Sequence, residues 1–332
     1  MRIGMTYDRI DDYLSTGYSR EAVAEFDSKE TIDAIAGALH ELGHEPIAIG
    51  NVRALTARLA TGDRWDLVFN IAEGLKGFGR ESQVPALLEA YDIPYTFSDP
   101  LTLALSLHKG MAKHVLRDLH IPTPDFAVVK DTEDMEHISL PWPLFVKPVA
   151  EGTSKGIRES SRVTNRADLV AHCARIIGDF KQPALVETYL PGREFTVGIL
   201  GTGKRAACLG VLEVLLRGNA EKGVYSFANK EHYKERVIYR LVRDRGALKA
   251  AETALAAWRG LGCRDAGRVD IREDEEGIPN VIELNPLAGL HPVNSDLSIL
   301  ASRTGMPYRS LIRAILDAAL TRMEDTPASM AL

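Results

Sequence analysis

Cysteine is scarce: Cys173, Cys208 and Cys263 are the three in a chain of 332 residues. They are far apart, odd in number and show no CxxC spacing, which excludes a disulfide framework and a structural zinc site of the usual kind and points to reduced thiols. No apolar run approaches the roughly 20 residues that span a bilayer, so no membrane partner is expected. The opening Met1–Asp8 has no long apolar stretch of the secretory type, and the expected location is the cytoplasm. Basic residues are not in excess. Lys+Arg 40 against Asp+Glu 46 gives −6, which argues against nucleic acid as a partner while leaving room for a local basic pocket. Phe 9 and Tyr 10 are too few and too scattered for a base-stacking surface. Neither a GxGxxG after the first strand nor a GxxxxGK[ST] loop is present, so dinucleotide and P-loop sites are disfavoured.

What is present is an ordinary globular composition, 45% apolar and 26% charged, long enough for two or three units sharing a site. Residues 1–98 alternate short apolar strands (Ile3–Tyr7, Pro46–Gly50, Asp66–Ala72, Ile93–Ser98) with helices. Alternation of this kind implies a parallel, Rossmann-like sheet. Asp27-Ser28-Lys29-Glu30 fits a capping box, with Asp27 as cap, ahead of Ile32, Ile35, Leu39 and Leu42 at helical spacing. Residues 99–187 form a second unit: a helix from Leu101 to about Leu119, ended by Ile121-Pro122-Thr123-Pro124, the strand Leu144–Val149, the loop Ala150–Gly156, a helix near Arg166–Ile177 and the strand Ala184–Tyr189. Residues 188–325 form a third, with strands Glu194–Leu200 and Ala206–Leu215, a polar loop Arg217–Arg236, a helix Gly246–Leu261, two strands around Arg268–Asn285 and a closing helix. Residues 326–332 read as a tail.

Gly267-Arg268-Val269-Asp270-Ile271 and Val281-Ile282-Glu283-Leu284-Asn285 both alternate polar and apolar, with the turn Asp274–Gly277 between them. Alternation puts the polar residues of each strand on one face. A simple hairpin centred on that turn sets Asp270 opposite Glu283 and Arg268 opposite Asn285. Facing carboxylates repel, so a shared proton, a cation or exposure to water must offset them. A hard divalent cation is one answer, since Mg²⁺ takes oxygen ligands and keeps substrate phosphates in its shell. A solvated strand face is the ordinary alternative.

Four further stretches are chemically suggestive. Lys147 ends an apolar strand and is followed by a loop with Gly152, Thr153, Ser154 and Gly156, whose successive N–H groups could cradle phosphate oxygens; a plain surface turn is the alternative. Glu187 and Glu194 flank Pro191-Gly192. Arg217–Arg236 has the length of a lid and carries Lys230. Lys109 lies in Leu107–Lys113 and by itself is only a helical lysine.

In this order the elements resemble the ATP-grasp superfamily, and within it the D-alanine–D-alanine ligases and their relatives, from about Ile3 to Leu320. The motifs are Glu73-Gly74, Arg80–Glu89, Ile93–Thr96, Lys147–Gly156, Gly192–Leu200, Gly267–Asp270 and Glu283–Gly289. The resemblance implies an α/β fold: a Rossmann-like N-terminal domain followed by two domains that sandwich ATP, in a homodimer. By motif position it implies Lys109 and Lys147 on ATP phosphates, and Glu151, Thr153 and Ser154 in the loop over them. Glu187, Val186, Tyr189 and Leu190 would lie at the adenine or ribose, and Glu194 near the ribose. Lys230 would reach the γ-phosphate, and Asp270, Glu283 and Asn285 would hold Mg²⁺. Arg268 and the Gly289 N–H would stabilise a tetrahedral intermediate. The activity implied is ATP-dependent joining of two amino acids through an acyl phosphate, ADP being released.

Departures from the family pattern concern the amino-acid pocket. Thr153 stands where D-alanine ligases carry Ser, and Glu231 follows Lys230 where Tyr is usual. Glu25 is the nearest candidate for the first amino group. Asn294 and Ser295 are candidates for the substrate carboxylate. Three readings follow: a D-alanine–D-alanine ligase, a related ligase with another substrate pair, and an ATP-binding module without turnover.

Overall fold

The computed structural model describes residues 1–221 and 226–325, with the side chains of Thr132, Lys230, Glu231 and Tyr233 outside that description. Three sheets follow one another along the chain. The first is parallel, β1 (Arg2–Tyr7), β2 (Glu45–Gly50) and β3 (Leu67–Ile71), in the order β2-β1-β3. The second contains β4 (Phe126–Val129), β5 (Leu144–Pro148), β6 (Arg162–Val163) and β7 (Ala184–Thr188), antiparallel in the order β4-β7-β5-β6. The third, also antiparallel, orders β8 (Glu194–Leu200), β9 (Ala207–Leu216), β10 (Val237–Leu241), β11 (Ala266–Glu273) and β12 (Pro279–Asn285) as β10-β9-β8-β11-β12. The mixed α/β architecture is the one the sequence predicts.

Local departures have local causes. The strand expected over Ile93–Ser98 shrinks to a bridge. Val68 N donates to Pro94 O and Thr96 N to Val68 O, then Phe97 turns away at φ 72° and gives its N–H to Asp265. The helix Lys29–Glu41 is capped by Ser28, which accepts from Thr31 N at 3.2 Å. The cap lies one residue later than expected, so the Asp27 carboxyl is not used for capping. The helix expected from Leu101 to Leu119 is two, Pro100–Leu107 and Lys109–Asp118. His108 leaves helical geometry at ψ 87°, and its ring accepts from Met111 N to cap the second helix. The break places Lys109 in a first turn, where the dipole disfavours a cation; a carboxylate must offset that. Within Arg217–Arg236, expected as a loop, short helices span Phe227–Glu231 and Tyr233–Arg236.

Packing does not follow the three sheets one for one. The face Ile32, Ile35 and Leu39 of the first long helix shares a core with Leu311, Ile312 and Ile315 of the last helix, Tyr308–Asp325. Leu103 joins that core, while Ala112 and Leu116 pack under the third sheet with Trp258. Residues 100–118 therefore bridge the outer units. The second sheet has a separate core built from residues between Val129 and Val186.

Candidate active site

A cleft opens between the second and third sheets, lined among others by Lys109, Lys147, Glu187, Glu194, Asp270 and Glu283. Its floor is set by register. β11 and β12 pair Arg268 with Asn285 and Asp270 with Glu283, as the alternation predicts. Beyond Asp270 the ladder slips by one residue, so Ile271 faces Val281. Asp270 accepts from Thr196 Oγ1 at 3.0 Å and from Asn285 Nδ2 at 3.1 Å. Glu283 pairs with Lys109 Nζ at 2.9 Å. Burial raises the Glu283 carboxyl, but Lys109 and Lys147 outweigh it and hold it below the usual range.

Lys147 comes from β5 and meets Glu187 of β7 at 2.7 Å; Lys113, one helical turn after Lys109, meets the same carboxylate at 2.6 Å. All three are 3% exposed or less. Burial would raise Glu187, yet the two lysines bring its carboxyl down, and burial pushes Lys113 down to about 8. Tyr189 and Leu190 line the cleft, and Glu194 lies there 3.1 Å from Arg272. Arg272 also donates to the Tyr189 hydroxyl and lies 5.2 Å from its ring centre. Val186, expected beside the nucleotide, does not line the cleft: alternation along β7 turns it into the core of the second sheet at 0% exposure.

The loop after β5 has a tightly turned backbone. Thr153 and Ser154 both have positive φ, 52° and 57°, as does Gly156 at 75°. Two such non-glycine residues in sequence are uncommon, and such sites store strain that surrounding contacts must hold. Those contacts come largely from the N-terminal unit. Glu25 accepts from Gly152 N, from Arg80 Nη2 at 3.0 Å and from Lys155 Nζ at 3.2 Å. Arg80 also donates to Ala150 O at 2.9 Å, and Lys109 Nζ to Glu151 O at 2.6 Å. Glu151 pairs with Lys155 and accepts from Gln182. Glu25, expected to receive a substrate amino group, is thus engaged as a loop clamp. Burial raises its carboxyl, but Arg80 and Lys155 bring it below the ordinary value.

A second cavity adjoins the cleft on the N-terminal side, and Thr153, Arg268 and Glu283 line both. Arg268 Nη1 lies 2.6 Å from Asp296 and 3.4 Å from Asp270, so it is aimed across the junction. Asn285, Gly289, Asn294 and Ser295 line this second cavity. Ser295 Oγ accepts from His291 N at 2.9 Å, and a Cβ on Gly289 would come within 2.9 Å of that oxygen. Side chains at Lys230 and Glu231, the lid candidates, lie outside the described residues.

The sequence reading missed Lys113, Lys155, Asp296, Thr196 and Arg272. Lys113 carried a signal, being four residues after Lys109 and so on the same helical face. The others are visible only once separate elements meet. The oxygen-rich trio Asp270, Glu283 and Asn285 suits a hard cation that arrives with phosphates, and Lys109 and Lys147 favour the ionised form of Glu283.

Two sheets closing on a lysine- and carboxylate-lined cleft, beside a glycine-bearing loop, define the class of protein: an ATP-grasp fold. Two solved structures share it. D-alanine–D-alanine ligase from Bacillus anthracis, solved with ATP, matches at TM-score 0.75 and 23% identity, covering 98% of this chain and 100% of that one. The D-Ala:D-Ser ligase VanG of Enterococcus faecalis matches at TM-score 0.72 and 18% identity, covering 96% and 99%. Residues 115–317 match the family model described as D-ala D-ala ligase C-terminus. D-alanine–D-alanine ligase of Aquifex aeolicus is 32% identical over 293 residues, 87% of this chain and 94% of that one. Protein y4sG of Sinorhizobium fredii is 33% identical over 304 residues, 87% of each. The chain belongs to the D-alanine–D-alanine ligase family.

Proposed function

We propose that this chain is an ATP-dependent, ADP-forming ligase that joins two amino acids by an amide bond. The observation that carries this reading is the meeting of the two cavities at Thr153, Arg268 and Glu283. One cavity has the cations and cradle for a triphosphate, the other has room for small polar substrates, and the junction is where a carboxylate would face a γ-phosphate. In this reading residues 99–187 and 188–325 enclose the nucleotide, and residues 1–98 complete the amino-acid side.

Each group has a role that its chemistry supports. Lys109 and Lys147 neutralise phosphate oxygens, and the 150–156 loop adds N–H donors. Phosphoryl transfer asks mainly for such positioning and charge neutralisation. Asp270, Glu283 and Asn285 would hold Mg²⁺, which when bound supplies charge neutralisation across the transferring phosphates. A substrate carboxylate oxygen attacks the γ-phosphorus, and ADP leaves with the bonding pair. The amine of the second amino acid then attacks the acyl carbon, losing a proton, and phosphate departs. Arg268, steadied by Asp296, and the Gly289 N–H face the tetrahedral oxyanion between those events, where fixed donors act most strongly. Glu194, Tyr189 and Leu190 would contact the ribose and base.

The decisive assay is coupled ADP release over pairs of D- and L-amino acids, with mass spectrometry of the product. Acceptor-dependent ADP together with a dipeptide-type product is expected. Tight ATP binding with no release for any pair would overturn the reading in favour of a binding module. A D-alanine pair is the first to test; the carboxylates of the second cavity favour a different first substrate. The family resemblance also implies a homodimer, checked by light scattering on the eluted protein, and a cytoplasmic location. Among the described residues no helix is long and apolar enough to cross a membrane.

A further inference from the structure

The second cavity is lined by more carboxyl groups than its own cations answer. Glu25 is held by Arg80 and Lys155, Glu283 by Lys109, and Asp296 by Arg268. Glu30, 3.3 Å from His291 Nε2, lines the same cavity, as do three more carboxylates: Asp27, Glu73 and Glu81. Among the described residues none of the three has a side-chain hydrogen bond or ion pair. Glu81 is 8% exposed and faces the cavity with no hydrogen bond or ion pair, although Arg80 and Lys109 act on it from nearby, as Arg80 does on Glu73. An ionised carboxylate buried in this way is costly unless a cation joins it. Burial, with further carboxylates nearby, pushes Glu81 up to about 8 and Asp27 up to about 7, and lifts Glu73 well above the ordinary value.

These carboxylates form a row and not a cage. Glu73 is an electrostatic neighbour of both Asp27 and Glu81, and Glu81 is also a neighbour of Glu283 beside the reaction centre. Among the described residues no three acidic, histidine or cysteine side chains converge closely enough to hold a metal ion. A single point charge therefore does not suit the row, whereas an elongated organic cation does. The α-ammonium of an amino acid supplies one positive charge, and its carboxylate, placed at Arg268, adds a negative one.

We propose that the amino acid whose carboxylate is activated carries a second cationic group on its side chain, as a diamino or guanidino acid does, with Asp27, Glu73 and Glu81 receiving its two positive charges. This rests on the ligase reading. The same row excludes a first substrate with an anionic side chain, because like charges brought together in a desolvated pocket repel strongly.

The test compares isosteric pairs in the ADP-release assay: lysine against norleucine and ornithine against norvaline, in both configurations, over a panel of second amino acids. The cationic member is expected to have a kcat/KM at least about tenfold higher, because a site built around buried polar groups rejects the analogue that leaves them unpaired. Glu81→Gln and Glu73→Gln should each raise KM for the cationic substrate more than for its neutral isostere, shrinking the preference to within about threefold. ADP release with norleucine equal to or above that with lysine overturns the inference and leaves the ligase reading intact. Calorimetry with a non-hydrolysable ATP analogue separates the opposite case. Lysine binding over norleucine without turnover upholds the cation site and overturns the ligase reading, and no preference in either assay overturns the inference.

Discussion

At Glu81 a side chain conflicts with its surroundings, and the conflict has a pH signature. Its folded pKa, about 8, lies above the ordinary carboxylate value of 4.5. Below that ordinary value both folded and unfolded chains hold the proton, so the full stability is present. As pH rises toward about 8 the unfolded chain ionises while the folded chain keeps its proton, and stability falls; Asp27 and Glu73 act in the same sense. Glu81→Gln should therefore match the wild type near pH 4.5 and exceed it near pH 8.5, by about 2–4 °C in Tm for each kcal/mol relieved. Melting curves that shift equally at both pH values would refute this. The pair proposed to hold Mg²⁺, Asp270 and Glu283, behaves differently. Asp270→Asn or Glu283→Gln should lower turnover by at least about a hundredfold while the circular-dichroism spectrum stays native, because each removes one oxygen charge from the phosphate site. Wild-type rates in either variant would remove these residues from the centre.

Between residues and whole chain, the loop 150–156 and the β11–β12 hairpin show what a sequence can disclose. The hairpin was legible because alternation and a marked turn fix which residues share a face, and the facing of Asp270 and Glu283 came from those two features alone. The slip after Asp270 was not legible; nothing in the run of residues marks a bulge. The loop's glycines and hydroxyls allowed a phosphate cradle or a plain surface turn, and the clamp that holds the loop joins Glu25 and Arg80 to Lys155, across sequence separations no local pattern reports. Glu25, expected at the substrate, lines the second cavity and also clamps the loop, while Val186 was placed by motif on the face that the pleat assigns to Glu187. Releasing the clamp should free the loop. Glu25→Gln is expected to speed amide exchange over residues 150–156 and raise KM for ATP by about tenfold, with a smaller change in kcat. Unchanged exchange there would mean that the loop holds its strained geometry without the N-terminal unit.

Over the whole molecule, buried polar contacts tie the outer two units together. Asp265, 0% exposed, accepts from Phe97 N at 2.8 Å, from Thr202 Oγ1 at 3.1 Å and from Arg322 Nη2 at 2.9 Å, while Arg322 also donates to Tyr95 O. Asp265→Ala would remove the buried carboxylate that accepts from Phe97 N, Thr202 Oγ1 and Arg322, and should cost about 3–5 kcal/mol by denaturant titration. The strand–helix alternation of the first 98 residues suggested a self-contained unit, yet its helix face is completed by the last helix of the chain. Alternation reports each element's own pattern and says nothing of which distant segment covers it. This closure has a consequence during synthesis. Ile35 leaves the ribosome well over two hundred residues before Leu311 and Ile315, its neighbours in the shared core. At about 5–20 residues per second the nascent N-terminal half waits for tens of seconds with a greasy flank bare. Chains stalled or cut before that final segment would be prime clients for chaperones.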